Sequence, residues 1–275
     1  MQKNLGMNGD KIKINMIGGG FQHSISSGDL EPKYVEWVKH TQAAPISFHI
    51  DYAILADVNP AKKNYGWLSE SKTIIGDVYD WAKKNTDNLK SKFIKVFTHD
   101  VELANTSSIF QLTQTGGRSR MEFGDIYPKT KLVSMIASNK VMCEEHVFRQ
   151  NVIKKYKGKC DHFGRGFNEI ADKKDGLKDY CFSFAIENGT YPNMYSEKIT
   201  DCFMTGTIPI YYGIDNIGDY FNTDGIIRLT DDFKVEDLSF DLYHSKLDAI
   251  KDNFERGLNI LLSEDFIYIN FIKNK

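Results

Sequence analysis

Apolar positions along this chain follow two rhythms, short strand-like alternations and longer stretches at helical spacing, the pattern of an α/β protein. Lys11–Ile17 (KIKINMI) alternates with period two and runs into Gly18-Gly19-Gly20, which predicts a first strand and a turn. Pro32–His40 has the spacing of a short helix, and Ser47–Leu55 (SFHIDYAIL) that of a second strand. Ile75–Lys84 (IGDVYDWAKK) brings Val78 and Trp81 or Ala82 to one helical face. Phe93–Thr98 (FIKVFT) predicts a further strand, and Val101–Ala104 opens a short helix. Gly116-Gly117 through Tyr127-Pro128 is rich in turn formers and poor in apolar periodicity, so it is the expected linker.

Beyond it the signals strengthen. Lys131–Ala137 (KLVSMIA) predicts a strand, and Glu144–Tyr156 a helix with Val147, Phe148 and Val152 on its apolar side. Asp179–Ile186 (DYCFSFAI) is almost unbroken apolar, as expected of a parallel strand covered on both faces. Ser196–Thr205 predicts a helix with Ser196 as N-cap and Gly206 just past its end. Ile208–Tyr212 (IPIYY) is the next strand, where Pro209 suggests an edge or first-paired position. The tail, Lys246–Phe271, is helical in pattern, and no repeat or low-complexity tract interrupts the chain.

With 275 residues, 41% of them hydrophobic, such a chain can bury a core without disulfides or metal. Lys and Arg number 35 against 37 Asp and Glu, a net charge of −2, which argues against a general nucleic-acid binder. The total is uneven, however. Residues 1–128 sum to +1, residues 129–178 to +6 and residues 179–275 to −9. Cys143, Cys160, Cys181 and Cys202 are widely spaced without a C-x-x-C pair, and read as reduced thiols rather than a disulfide frame or zinc site. The first twenty residues lack an apolar stretch of signal-peptide length, and no run approaches the ~18 apolar residues of a membrane span. A soluble, cytoplasmic protein is expected, with peripheral membrane contact left open.

The chemistry concentrates in Asp179–Gly213. A buried strand ends in Glu187-Asn188, at the carboxyl edge of a sheet where open α/β folds bind ligands. A loop then leads to a capped helix beginning Glu197-Lys198. A lysine in a first helical turn is unfavourable unless something negative faces it, and a phosphate is one such partner. A carboxylate at Glu197 can accept two ribose hydroxyls. The plain alternative is an ordinary strand, capped helix and strand with incidental surface charges.

These residues carry a resemblance. Ile186-Glu187-Asn188, Ser196-Glu197-Lys198 and Thr207-Ile208-Pro209-Ile210 resemble the donor-binding pattern of the α1,3-fucosyltransferase family. Upstream, Ala137-Ser138-Asn139, Arg149 and Cys160-Asp161-His162-Phe163-Gly164 resemble that family's Ser-Asn, arginine and Val-Asp-x-x-Gly elements in the same order. The likeness covers roughly residues 129–232 well and the N-terminal half weakly. It implies a GT-B fold, two Rossmann-like domains facing a cleft. Residues 1–128 would be a reduced acceptor-side domain, and residues 129–275 the nucleotide-sugar domain, with the last helix packing back on the first.

The resemblance further implies inverting transfer of fucose from GDP-fucose to a glycan hydroxyl, with no metal in the chemical step and no cofactor beyond the donor. Arg149 and Lys198 would hold the diphosphate, Glu197 the ribose, and Asn139, Glu187, Asn188 and Tyr195 would belong to the donor site. Where the family usually has a tyrosine three residues before the Glu, this chain has Met194, with Tyr191 and Tyr195 nearby, so the sugar stays open. The catalytic base of the family is a glutamate in a Gly-Glu-Asn context. Its best counterpart is Glu70 in Gly66-Trp67-Leu68-Ser69-Glu70-Ser71, with a surface carboxylate as the plain alternative and Asp100 and Glu102 as the fallback pair.

Other signals weigh less. Gly18–Gly20 lacks the third glycine of a dinucleotide fingerprint, which would fall at His23, and reads as a tight turn. His23, His49 and His99 near strand ends read as packing residues, and His162 as a loop residue. Asp231-Asp232 reads as a helix cap rather than a metal dyad. Trp67, in a glycine-marked loop beside Glu70, is a candidate sugar platform. The competing functions are the same fold with another nucleotide sugar, a non-catalytic glycan- or nucleotide-binding module, and an NAD(P)-dependent enzyme.

Overall fold

The computed structural model describes residues 11–39, 41–113, 117–141 and 143–273. His40, at the end of the expected first helix, and Gly116, at the start of the expected linker, lie outside the described residues, as does the chain start.

The chain builds two parallel sheets in succession. The first uses β1 (Ile12–Gly18), β2 (Val35–Val38), β3 (Ile46–Ile50), β4 (Lys63–Leu68), β5 (Val96–Thr98) and β6 (Phe110–Leu112) in the order β2-β1-β3-β4-β5-β6. Its connections carry α1 (Lys72–Lys84), α2 (Thr86–Lys92) and α3 (Val101–Ala104). The second comprises β7 (Lys131–Ile136), β8 (Asp161–Phe163), β9 (Tyr180–Ile186), β10 (Ile208–Tyr212) and β11 (Ile227–Arg228), ordered β11-β10-β9-β7-β8. Between its strands run α4 (Glu144–Lys155) and α5 (Glu197–Phe203). After β11 come α6 (Phe240–His244), α7 (Leu247–Leu258) and α8 (Ser263–Ile267), which continues into a π-helical turn (Tyr268–Ile272). All described strand pairs are parallel.

Both sheets reverse their winding direction once. In the first, β1 is flanked by β2 and β3; in the second, β7 is flanked by β8 and β9. Crevices outside the carboxyl ends of such neighbouring strands are where open α/β sheets take ligands. Gly18–Gly20 and Asp51 follow β1 and β3, while Ala137-Ser138 and Glu187-Asn188 follow β7 and β9. The two switch points open onto one cleft.

β9 anchors the second lobe. All seven of its residues are buried, with Phe182 and Phe184 paired in register with Ile208 and Ile210. β10 lies between β9 and β11, so Pro209 is not on an edge strand. Its missing N–H is tolerated because β11 pairs only with Ile210 and Tyr211.

Three expectations need correcting in the first lobe. Pro32–His40 is not helical: Val35–Val38 forms β2, paired with Ile12–Asn15. The Asp265 carboxylate accepts the backbone N–H groups of Lys33, Tyr34 and Val35 at 2.6, 2.8 and 3.2 Å and holds this stretch extended. Ser47–Leu55 is a strand only to Ile50, after which Asp51 turns into a 3₁₀ segment, Asp51–Leu55. Gly66 and Trp67 are not in a loop but in β4, where Trp67 is buried. A Cβ on Gly66 would sit 3.0 Å from Val96, so glycine allows β4 and β5 to lie close.

The helical tail breaks at residues 259–262, and its last segment packs against the first lobe. Ile267, Tyr268, Phe271 and Ile272 join the cluster of Ile14, Phe48, Tyr65 and Phe97. Glu264 accepts from the Ser27 N–H and the Trp37 Nε1–H, both at 3.0 Å. Among the described residues no helix is long and apolar enough to cross a membrane.

Asp265 is 2% exposed, and removing its carboxylate strands three N–H donors at the start of β2. Asp265→Ala is expected to destabilise the protein by about 2–4 kcal/mol, and Asp265→Asn by clearly less because its amide oxygen still accepts. Denaturant melts read both. Equal stability of Asp265→Ala and wild type would show that β2 stands without this tie.

Candidate active site

A cleft of about 530 Å³ opens between the lobes, and a second cavity of about 330 Å³ adjoins it inside the second lobe. Ser138, Arg149, Glu197 and Lys198 line both.

On the second-lobe wall the polypeptide leaves β9 at Ile186. Glu187 is fully buried, and its carboxylate accepts from the Ser196 N–H at 2.9 Å, the Ser196 hydroxyl at 2.6 Å and Lys198 Nζ at 3.3 Å. Glu187 therefore does not line the cleft; it lies beneath and fixes the start of α5. The negative partner expected for Lys198 is supplied by the chain itself. A buried carboxylate is tolerable here because two hydrogen bonds and an ammonium group compensate it. The Lys198 side chain still reaches both cavities at 25% exposure.

Glu197 pairs with Lys173 at 3.1 Å, and Lys173 with Asp201 at 3.0 Å. Burial works against the Glu197 charge, but Lys173, then Lys198 and Arg120, outweigh it and hold the carboxyl well below the usual range. Asp201 Oδ1 accepts from the Ser119 hydroxyl and the Arg120 N–H, tying the inter-lobe segment to α5.

Arg149 is the outstanding group. It projects from α4, is 6% exposed, and borders both cavities. Its Nη1 lies 3.4 Å from Asn188 Oδ1, and its Nε has no hydrogen-bond partner among the described residues. No carboxylate comes within 4.0 Å of it among those residues, and burial pulls its pKa down. One turn earlier, His146 Nε2 lies 3.1 Å from the same Asn188 oxygen. Burial and then Arg149 lower the His146 pKa, which favours the neutral ring.

The sequence reading overlooked His146, although its i, i+3 spacing from Arg149 puts both on one face of α4. That face buries His146, Arg149, Val152 and Ile153, whereas Val147, expected inside, is 49% exposed.

Asn139 and Tyr195 deviate from expectation. Asn139 is exposed on the rim, bonded through its N–H to the Arg165 carbonyl, while its neighbours Ser138 and Lys140 line the cleft. Tyr195 borders the cleft but is 2% exposed, its ring packed on Tyr220 and Phe221. Met194 also borders the cleft. Tyr191 instead reaches the other lobe, with its hydroxyl 3.3 Å from Ser71 Oγ and Lys72 Nζ 4.6 Å from its ring centre. Gly164 borders the smaller cavity at φ 108°, and a Cβ there would lie 2.2 Å from the Ala137 carbonyl oxygen. That contact makes glycine necessary in this loop.

The first-lobe wall carries Glu70, exposed just past β4. Its Oε1 accepts the Ser71 N–H at 2.8 Å, and its carbonyl accepts from the Tyr79 hydroxyl at 2.9 Å. Gly20, Phe21, Asp51, Trp67 and His99 complete this side. The fallback pair is not there. Asp100 caps α3 and pairs with Lys72 at 2.7 Å, and the Glu102 side chain is 88% exposed at 3.7 Å from the same lysine. His99 is buried, and desolvation pushes its pKa down to about 4, so it is neutral at pH 7.

The remaining histidines are plain. His23 is exposed, and His49 packs edge-to-face on Phe93. His162 lies in β8 rather than a loop, 3.5 Å from Cys160 Sγ, and burial raises that thiol to about 12. Asp231-Asp232 occupies an exposed turn, and the 3₁₀ segment beyond it begins without a side-chain cap. No cluster of three or more metal-ligating side chains is present among the described residues.

A cation-lined wall faces a carboxylate-bearing wall across a cleft at two switch points. Residues 126–256 match the model of the glycosyltransferase family 10 (fucosyltransferase) C-terminal domain. This part of the chain is similar to that family's C-terminal domain. The chain is also similar to α-(1,3)-fucosyltransferase FucT of Helicobacter pylori, with 31% identity over 109 residues. That alignment takes in 38% of this chain and 22% of the H. pylori protein, so it spans about a fifth of that relative.

Among solved structures, an α1,3-fucosyltransferase with GDP superimposes at a TM-score of 0.51 and 14% identity, covering 97% of this chain and 89% of the other. An α1,3-fucosyltransferase with GDP-fucose gives 0.47 and 12%, over 94% and 85%. The first likeness extends over both sheets, and the fold is GT-B.

Proposed function

We propose that this chain is an inverting glycosyltransferase that moves fucose from GDP-fucose to a hydroxyl of a glycan acceptor. The observation that carries this reading is Arg149. A buried guanidinium with no carboxylate beside it among the described residues, at the junction of two cavities, is costly unless an anion binds there. A nucleoside diphosphate suits the site, with its nucleoside in the smaller cavity and its phosphates at Arg149 and Lys198.

The acceptor hydroxyl would approach from the Glu70 side. Glu70 takes its proton as the oxygen attacks the anomeric carbon, and the bond from that carbon to the diphosphate oxygen breaks on the opposite face. The electron pair leaves with GDP, where Arg149 and Lys198 offset the growing charge. Fixed cations do the work a metal ion does elsewhere, so the chemical step proceeds without one. Glu197, held ionised by Lys173, accepts the ribose hydroxyls, and Asn188 is oriented toward the donor by His146 and Arg149. Glu187 acts beneath them by aiming Ser196 and Lys198. Asn139, on the rim, holds the Arg165 turn over the nucleoside side, and Tyr195 backs the donor wall.

One observation favours a second reading, a different nucleotide sugar. Met194 borders the cleft where α1,3-fucosyltransferases usually carry tyrosine, and Tyr195 is turned into the Tyr220–Phe221 cluster. A donor screen across GDP- and UDP-sugars with EDTA present separates the two. GDP release from GDP-fucose, undiminished by EDTA, is the expected result. Release from a UDP-sugar alone would establish the second reading, and GDP binding with no turnover of any donor would indicate a binding module.

A further inference from the structure

Asp51 occupies an unusual place for a carboxylate. It directly follows β3 at the first lobe's switch point, is 7% exposed, and borders the inter-lobe cleft. Its backbone has φ 53°, in the left-handed region that few non-glycine residues enter. This conformation turns the side chain across to the end of β4. There Oδ1 accepts the N–H groups of Ser69 and Glu70 at 2.8 and 3.1 Å, and Oδ2 accepts the Ser69 hydroxyl at 3.1 Å. Three donors from two consecutive residues converge on one side chain, and those residues carry Glu70 into the cleft.

Burial raises the Asp51 pKa, and the hydrogen bonds from Glu70 and Ser69 oppose that shift. Backbone strain and buried charge at one residue coincide at functional sites, where surrounding structure over-determines them. Lys72, at the start of α1 just beyond this turn, is paired with Asp100. Asp51 is therefore committed to the Ser69–Glu70 turn.

We infer that Asp51 is a positioning residue for proton removal: it holds the Ser69–Glu70 turn so that the Glu70 carboxylate meets the acceptor hydroxyl. The inference rests on the proposed role of Glu70. Asp51 touches neither substrate nor the reacting atoms. A turn released from the Asp51 carboxylate lets the base drift, and misplacement by about 1 Å can cost on the order of a hundredfold in rate.

The test compares Asp51→Gly with Asp51→Asn, alone and combined with Glu70→Gln. Glycine accepts φ 53° freely, so loss of the carboxylate is separated from backbone strain. Asparagine keeps an oxygen for the two N–H groups and tolerates the same φ. GDP release from GDP-fucose, with acceptor or with water, gives kcat and KM; calorimetry gives GDP affinity, and a thermal melt gives folding.

Asp51→Gly is expected to lower kcat by roughly tenfold to a hundredfold with donor KM and GDP affinity unchanged. Asp51→Asn should recover most of that rate. In the Glu70→Gln background Asp51→Gly should have no further effect on kcat, because its influence runs through Glu70. If kcat of folded Asp51→Gly equals wild type while Glu70→Gln is impaired, or if the two losses multiply, the positioning role is wrong. If Glu70→Gln itself turns over normally, the base assignment fails instead.

Discussion

Glu70→Gln is expected to reduce turnover of GDP-fucose by about 10²–10⁴-fold, the range associated with removing a positioned general base. GDP affinity should be unchanged within about twofold, since Glu70 lies on the wall opposite Arg149 and Lys198. Glutamine preserves shape and can still accept the Ser71 N–H bond now made by Oε1, so the loop keeps its path. The substitution removes only the capacity to take a proton. The two measurements together identify the step: a fall in kcat with intact GDP binding belongs to acceptor activation, whereas parallel losses belong to the cleft as a whole. Equal turnover in wild type and variant would remove Glu70 from the chemistry.

How legible the site was differs between its walls, for a physical reason. The second lobe announces itself because β9 is buried on both faces and must be continuously apolar. Its end then marks the carboxyl edge, and the capped start of α5 sits a fixed distance beyond. Asn188, Glu197 and Lys198 could be named from that order, and Arg149 only from the resemblance to the fucosyltransferase pattern. What local sequence could not reveal is the partner of each charge. Lys198 called for a negative partner, a phosphate being one candidate, and Glu187 meets it from eleven residues earlier in the chain. Arg149, by contrast, gained meaning only when no carboxylate appeared near it among the described residues.

The first lobe was harder to read because parts of it are held by groups distant in the chain. Val35–Val38 has no strong alternation, and the Asp265 carboxylate, 230 positions beyond Val35, decides its conformation. β4 begins with polar Lys63-Asn64 and contains Gly66, both signals of a loop, yet its burial follows from pairing with β3 and β5. Asp51 was invisible for the same reason: its significance lies in a left-handed turn and three bonds to residues 69 and 70. Charge composition was informative only in blocks, since the +6 of residues 129–178 includes Arg149 while the whole chain sums to −2.

Arg149→Met should weaken GDP binding by about 10- to 150-fold, the loss expected when a charge-assisted contact worth about 1.5–3 kcal/mol disappears. Its effect on the unliganded protein should run the other way. Arg149 is 6% exposed, has an unpartnered Nε among the described residues, and has its pKa lowered by burial, so in the absence of an anion its charge is a net cost to folding. Methionine fills similar volume without that desolvation, and the apo melting temperature is expected to equal or exceed wild type.

Saturating GDP should then raise the melting temperature of Arg149→Met less than that of wild type, because stabilisation by a ligand scales with RT ln(1 + [L]/Kd). Lys198→Ala should weaken GDP by a smaller factor, since Glu187 already neutralises part of that lysine at 3.3 Å. Calorimetry and thermal melts with and without GDP measure all of this on the same samples. A lower apo melting temperature for Arg149→Met with unchanged GDP affinity would mean that Arg149 holds α4 to Asn188 and does not bind the diphosphate. A more stable apo protein that binds GDP poorly would establish the trade that a preformed anion site makes.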